Sequence, residues 1–436
     1  MQIRLMVLDP GHFHASLVQK EMYTELARRV SVYAPLGNEV LDYLNRVRAF
    51  NARRDDPTNW EIDLHTGADF VERMIEERPG NVVVLSGRNR PKIDRIEAAV
   101  KAGLHVLADK PWIVSPADFP KLVSLLNEAE KRDIAAYDIM TERFEITSIL
   151  QRELVNDEGV FGKLLDGRDT EPAVTARSVH HLMKMVAGAP IRRPAWFFDV
   201  NEYGEGLADV GTHVVDLVQW TAFPDQVLDY RNDIRLLAAE HWPTILSQTQ
   251  FERVTGEREF PQSVAAQVKV GKLEYFCNNS VDYTLRGVHV RLSILWEWEA
   301  PEGTGDSYEA TFRGSKSRIE LRQGREERFV PELYIVAESS PHEVFEKLRR
   351  KVSALNATYE GLAVEMAAGE AHLVIPERYR VGHEAHFAQV TRQFLEYVKA
   401  PRTMPAWEKA NMLAKYFVTV KGVELASASA MSVAGD

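Results

Sequence analysis

Two stretches carry residue types that could do chemistry on a hydroxyl group, one a carboxylate beside a lysine and the other a carboxylate four residues before a histidine. In Gly103-Leu-His-Val-Leu-Ala-Asp-Lys-Pro-Trp112 an apolar run leads straight into Asp109 and Lys110, and Pro111 stops it. A lysine so placed can donate hydrogen bonds to a substrate oxygen, and the alternative is a solvated lysine paired with its neighbour. In Gly204-Glu-Gly-Leu-Ala-Asp-Val-Gly-Thr-His-Val-Val-Asp-Leu-Val-Gln-Trp220, Asp209 and His213 stand four apart, and Asp216 and Trp220 continue the same spacing. On a helix these four share a face next to the buried stripe of Leu207, Val210, Val214, Leu217 and Val218. The imidazole can take a hydroxyl proton while the carboxylate fixes the substrate or stabilises imidazolium. An ordinary exposed Asp/His helix pair has the same spacing.

A third stretch, Asp9-Pro-Gly-His-Phe-His14, lies where a dinucleotide-binding turn would follow a first strand. Gly11 allows the close backbone approach that a pyrophosphate needs at a helix N-terminus. Against the pattern Gly-x-Gly-x-x-Gly, Asp9 and His14 replace the first and third glycines. A carboxylate about 4 Å from a phosphate is repelled by roughly 1 to 4 kcal/mol at effective dielectrics of about 80 to 20. Asp9 must therefore turn away, bond the loop backbone or be offset by a histidine. Tyr33 stands where an acidic residue for the ribose is usual, Glu39 is the nearest substitute, and no arginine follows at once. NAD is mildly preferred over NADP on that basis.

The elements that must carry these stretches follow from periodicity. Residues 2–140 alternate strand-like and helix-like patterns, the sequence form of a doubly wound parallel sheet. Strands are predicted at Ile3 to Leu8, Val30 to Ala34, near Leu64, Val82 to Leu85, Leu104 to Ala108 and Ile134 to Tyr137. Asp109 and Lys110 then sit at the carboxyl end of the fifth, where ligands of such sheets collect. Ser115 and Pro116 start a helix whose stripe is Phe119, Leu122, Leu125 and Leu126. Beyond Gly162 the pattern changes: residues 163–200 read as irregular, 206–222 as helix, and 263–322 as successive strands of a separate antiparallel sheet. Residues 331–380 read as an appended helix plus strand pair, and the chain returns to helix from Glu384 to Ala426.

Ser178-Val-His-His181, Lys184 and Arg192-Arg-Pro-Ala-Trp196 precede the Asp209 helix. Two histidines, several cations and a tryptophan could line a sugar or acidic-sugar site, because an indole face covers a sugar ring and cations hold carboxylates. The same residues could form a surface connector. His383 and His386 mimic a metal pair but have no evident partner ligands, so no metal site is expected. The single Cys277 shares a strand face with Leu273 and Tyr275, reads as core, excludes an internal disulfide and fits a reducing, cytoplasmic compartment, although one cysteine would also suit a periplasmic protein. Trp296 and Trp298 share a strand face and could pack under a helix or against another subunit. The chain has 436 residues, enough for two or three domains, and is 45% hydrophobic and 27% charged with a net charge of -11. That balance argues against nucleic-acid or anionic-membrane partners.

Taken together, the Gly11 turn, Ala102-Gly-Leu-His-Val-Leu-Ala-Asp-Lys-Pro111 and Gly204-x-Gly-x-x-Asp-x-Gly-x-His-x-x-Asp216 resemble the glucose-fructose oxidoreductase, inositol dehydrogenase and rhizopine catabolism family (Gfo/Idh/MocA). The resemblance implies a Rossmann dinucleotide-binding domain over residues 1–145, a predominantly antiparallel open-sheet domain over 146–382 and closing helices over 383–426. It implies that Lys110 matches the family's Glu-Lys-Pro lysine, with Asp109 for glutamate, and that Asp209 and His213 match its catalytic pair. Cofactor contacts would come from Asp9, Gly11, His12, Phe13, His14, Tyr33, Ser86, Gly87, Asn89, Asp109 and Lys110. Substrate contacts would come from Lys110, Arg143, His180, His181, Lys184, Trp196, Asp209 and His213. The activity implied is NAD(P)-dependent oxidation or reduction of a secondary alcohol or ketone in a sugar, glycoside or cyclitol. Two alternatives stand beside it: glycoside cleavage through transient oxidation with a retained NAD, and a non-catalytic nucleotide or sugar sensor. The resemblance also implies a homo-oligomer, dimer or tetramer, through the antiparallel sheet, with the two tryptophans as candidates.

Overall fold

A computed structural model describes residues 2–186, 189–367 and 369–434. In it the chain divides into two units: one runs to Phe144 and resumes over Gly382–Leu413, and the other covers Glu145–Val381 and continues from Ala414.

The first unit opens with strands β1 (Leu5–Leu8), β2 (Arg29–Ala34), β3 (Glu61–Thr66), β4 (Val82–Leu85), β5 (His105–Ala108) and β6 (Ala136–Asp138). All pair in parallel, in the order β3-β2-β1-β4-β5-β6. β1, β4 and β5 are short apolar runs because both sheet faces are covered, and Met6, Val7, Val83, Val84, Val106 and Leu107 are all buried. Helices α1 (His14–Leu17), α2 (Asn38–Ala52), α3 (Phe70–Glu77), α4 (Lys92–Lys101) and α5 (Phe119–Lys131) supply the crossovers. Ser115 accepts a hydrogen bond from the Ala117 amide at 3.2 Å, and Pro116 begins a 3-10 turn that feeds α5. The strand order reverses at β1 and β4, so the loops leaving their carboxyl ends diverge and open a crevice there.

The second unit begins with α6 (Ile146–Val155) and is built on one ten-stranded sheet. Its main strands are β7 (Val174–Met183), β8 (Ile234–Ser247), β9 (Lys272–Leu285), β10 (Val288–Glu299), β11 (Ser307–Arg313), β12 (Ser317–Arg322), β13 (Glu332–Ala337), β14 (Ala363–Ala367) and β15 (Glu370–Val374). They lie in the order β8-β9-β10-β7-β11-β12-β13-β15-β14, with Val268–Lys269 pairing onto β9. Only β7 and β10 pair in parallel among the described strands of this sheet. Helices α7 (Val200–Tyr203), α8 (Gly206–Ala222), α9 (Gln248–Thr255) and α10 (Pro341–Leu355) complete the unit.

Two expectations are corrected here. Residues 163–200 are not irregular, because β7 lies between β10 and β11 in the middle of the sheet. Its second half is covered on both faces, with Ser178 and His181 inside, so it lacks the alternation of a half-buried strand. Residues 331–380 form more than a helix plus strand pair, since β13, β14 and β15 extend the same sheet beyond β12. Trp296 is packed within its own unit, against Phe197 and His180. Cys277 is fully buried between Leu273, Tyr275 and their neighbours, and burial pushes its thiol up to about 12.

The chain closes with α11 (His383–Lys399) and α12 (Ala406–Ala434). Phe387, Val390, Phe394, Leu395 and Val398 of α11 join the core that holds Val7, Val32, Val84 and Leu107 in the first unit. Ala414, Val418 and Ala426 of α12 belong to the core of the second. Among the described residues no helix is long and apolar enough to cross a membrane.

Candidate active site

In the first unit the residues of interest gather at the carboxyl ends of β1, β4 and β5. Asp9 is buried with a φ of +48°, and its amide donates to the Tyr33 carbonyl at 2.9 Å. Its carboxylate is paired with Arg95 of α4, which resolves the charge problem raised by an acid in this turn: an arginine offsets it, not a histidine. The Gly11 amide donates to the Asp9 carbonyl at 2.8 Å, and the His12 amide to the Ser86 carbonyl at 2.8 Å. This bond ties the first turn to the loop after β4. At Gly87 a Cβ would lie 2.3 Å from the Asp9 carbonyl oxygen, so only glycine allows the two loops to close together.

Asp109 is buried at the end of β5. Ser86 donates to its Oδ2 at 2.7 Å, and the fully buried Lys92 ammonium engages its Oδ1 and the Asn89 Oδ1, the latter at 2.8 Å. Burial pushes the Asp109 carboxyl up, but the Lys92 ammonium beside it outweighs this and holds it well below the usual carboxylate range. Burial lowers His12 well below the ordinary histidine value and brings His14 to about 4, against the pull of Asp109. Both imidazoles are therefore neutral at pH 7. Lys110 is half-buried at the next position.

The remaining cofactor candidates fall around this group. Phe13 is exposed, with the Arg46 guanidinium 5.7 Å from its ring centroid. The fully buried Tyr33 stacks on His65 at 4.6 Å and donates to Glu77 at 2.6 Å, so its hydroxyl is already engaged. Glu39 of α2 lies beside Gly11, its Oε2 3.7 Å from where a Cβ would sit, and 3.8 Å from Arg88. Arg143 is buried and bonds both oxygens of Glu408, at 3.0 and 2.9 Å.

In the second unit α8 starts where the sheet lets it approach closely: a Cβ on Gly206 would be 2.1 Å from the Cys277 carbonyl oxygen. Asn279 of β9 accepts from the Leu207 amide at 2.8 Å and donates to Glu205 at 2.7 Å, which anchors that end. Asp209 is buried and hydrogen-bonded to Tyr203, while His213, one turn further on, is half-buried. Asp216 is buried and bonded by Lys415 at 2.9 Å, and Trp220 lies under the Arg152 guanidinium at 4.5 Å. The face read from spacing thus divides: its second half, Asp216 and Trp220, is engaged by Lys415 and Arg152, while its first half holds Asp209 on Tyr203 and the half-buried His213.

The stretch ahead of α8 joins this wall. Trp196 packs on Tyr203 with centroids 5.9 Å apart, and Phe197 lies between Tyr203 and Trp296. Arg193 covers Phe197 and Trp296 at 4.4 and 5.0 Å and bonds the Leu182 and His181 carbonyls. His180, His181 and Lys184 all converge on Asp306, the two histidines at 3.0 and 3.2 Å. Burial raises the Asp306 carboxyl, but His180 and Lys184 outweigh it and leave it below the ordinary range. Asp306 was missed from sequence because it follows a glycine-rich turn; Arg95, Lys92 and Tyr203 were missed because nothing local marks their partners.

The chain matches, over residues 150–427, the family "Putative oxidoreductase C terminal domain". It is 42% identical to the solved structure of a "putative oxidoreductase" from Parabacteroides merdae, covering 98% of each chain with a TM-score of 0.96. Two more distant structures share the fold. One is KijD10, a 3-ketoreductase from Actinomadura kijaniata in complex with NADP and TDP-benzene, at 15% identity, 97% coverage of each chain and a TM-score of 0.56. The other is GenD2 from gentamicin A biosynthesis in complex with NAD, at 14% identity, 98% and 94% coverage and a TM-score of 0.58. No curated protein matches. With the parallel sheet, the mostly antiparallel sheet and the family match all in place, the chain belongs to the Gfo/Idh/MocA-type oxidoreductases and carries their oxidoreductase C-terminal domain.

Proposed function

We propose that the protein transfers hydride between a nicotinamide dinucleotide and a secondary alcohol or ketone of a sugar, glycoside or cyclitol. The observation that carries this reading is the first half of α8, where buried Asp209 is held by Tyr203, which packs on Trp196, with Arg193 and Asp306 nearby, and half-buried His213 follows one turn on. Aromatic faces and charged hydrogen-bonding groups together suit a polyhydroxylated ring. The structures of KijD10 with NADP and GenD2 with NAD support the cofactor class.

The residues after β1 and β4 fit a dinucleotide. Arg95 neutralises Asp9, so the turn no longer presents a bare negative charge to a diphosphate. Gly11 and Gly87 leave room for the close approach of a dinucleotide backbone at the two loops, and Glu39 stands beside Gly11 to accept from a ribose hydroxyl. When bound, NAD(P) supplies the hydride acceptor or donor. His213 takes the hydroxyl proton in oxidation and returns it in reduction. Lys110 hydrogen-bonds the reacting oxygen, and Asp209 holds a substrate hydroxyl. Ser86 and Lys92, the latter held in turn by Asn89, keep Asp109 fixed next to Lys110. A homo-oligomer through the antiparallel sheet is part of the proposal; its edge strand β8 exposes Trp242 and Ile245. A monomer mass by light scattering would remove that part.

The test is to denature freshly purified protein and identify released dinucleotide by mass, then to assay sugars and cyclitols with wild type and Lys110→Met. Turnover that falls at least 100-fold in the variant while dinucleotide affinity stays within threefold supports the reading. An unchanged kcat removes Lys110 from the mechanism. Dinucleotide that neither co-purifies nor binds on titration removes the reading altogether.

A further inference from the structure

We propose that His12, His14 and Asp109 form a binding site for a divalent cation of the zinc class. The two histidines, two apart, come from the turn after β1, and the carboxylate comes from the end of β5. One donor atom from each lies within 4.8 Å of the other two. Nδ1 of His14 is 3.4 Å, and Nδ1 of His12 is 3.7 Å, from Oδ2 of Asp109. Zinc bonds of about 2.0 to 2.2 Å to nitrogen and oxygen give a tetrahedral edge of roughly 3.4 Å, against roughly 3.0 Å for an octahedron. Two of the three edges therefore stand near tetrahedral length, and the third, between the two histidines, is within 4.8 Å.

Independent features also point to a ligand. Nδ1 of His14 is buried without a hydrogen-bond partner, which is uncommon for a buried polar atom. Asp109 is oriented by Ser86 on Oδ2 and by Lys92 on Oδ1, the outer hydrogen bonding that fixes a metal-binding carboxylate. The Lys92 charge opposes a cation, but it engages the oxygen that the histidines do not face. Phe387 and His383 close the other side of His14, with centroids at 4.7 and 5.9 Å. His12 keeps 20% of its side chain exposed. Three protein ligands and one open side leave a fourth position for a water or a hydroxyl oxygen, the form of a catalytic site rather than a closed structural one. His383 and His386, the pair that spacing alone brings to mind, are not part of this group.

The test uses the full-length, tag-free chain, stripped with EDTA and titrated with Zn2+ and Co2+. The expected results are one equivalent of either ion, an intense visible absorption from tetrahedral Co2+, and at least tenfold weaker binding in His12→Gln and in His14→Gln. His12→Gln changes a partly exposed ring, so it stays informative if a buried substitution fails to fold; circular dichroism checks each variant. Less than half an equivalent in the wild type overturns the site. So does unchanged affinity in a folded His12→Gln/His14→Gln double variant, or only the weak bands of octahedral cobalt. None of these readings involves turnover, so the fate of the hydride-transfer proposal is decided separately.

Discussion

Arg95 of α4 caps the carboxylate of Asp9 directly beneath the turn that replaces a glycine-rich loop. Both side chains are mostly buried, so the pair is shielded from screening. Arg95→Met leaves the Asp9 charge facing a bound diphosphate. Dinucleotide affinity should fall by roughly tenfold, in the range set by about 1 to 4 kcal/mol of repulsion. Asp9→Asn/Arg95→Met should recover most of it. Calorimetric titration of both variants checks the cycle, and equal losses in each would show that the pair acts only on folding.

Glu39 reaches Gly11 from the first turn of α2 and has Arg88 nearby. A carboxylate there favours a free ribose hydroxyl and repels a ribose phosphate. Glu39→Gln should therefore raise the NADP-to-NAD preference at least fivefold, read as the ratio of dissociation constants. A ratio that does not move would place the ribose elsewhere.

Lys415 and Asp216 form a buried ion pair within the second unit, with side-chain exposures of 0% and 2%. Removing one partner of such a pair strands a charge. Lys415→Met should cost about 3 to 5 kcal/mol of stability, whereas Asp216→Leu/Lys415→Met should recover much of that loss. Urea unfolding of the three proteins gives the comparison. A double variant as unstable as the single one would mean that the site needs the charges themselves.

His241 bonds Glu205 at 3.0 Å, and that bond raises its pKa above the ordinary 6.5 despite the opposing effect of burial. The folded protein holds this proton more tightly than the unfolded chain. The stabilisation is complete below pH 6.5 and is lost as pH rises through the folded value. The Tm gap between wild type and His241→Gln should accordingly be widest near pH 6 and shrink by about pH 9. A gap independent of pH would make the contact one of packing only.

The first unit was legible because each buried parallel strand is a continuous apolar run between amphipathic helices, and α8 was legible from its stripe. Strand β7 was hidden because Ser178 and His181 occupy interior positions, Ser178 bonded to His180 two residues on and His181 to Asp306 over a hundred residues away. Strand β8 was hidden because an edge position leaves it partly exposed and tolerates Pro243 at a register shift. Lys110, Asp209 and His213 stand out as candidates by motif and spacing alone. Their supports do not, since Arg95, Lys92, Tyr203 and Lys415 meet their partners only through packing. His12 and His14 stood out as departures from a glycine pattern, but their convergence on Asp109 depends on how β1 and β5 are placed in the sheet.

The position of β7 sets the order in which the second unit can be assembled during synthesis. This strand leaves the ribosome early, yet its neighbours β10 and β11 follow only after roughly a hundred more residues have been made. The first unit waits longer still, because α11 supplies part of its core from the far end of the chain. Neither hydrophobic core is complete until the helices at the far end of the chain have been made. Production of this protein should respond strongly to slower synthesis, lower temperature and added chaperone capacity.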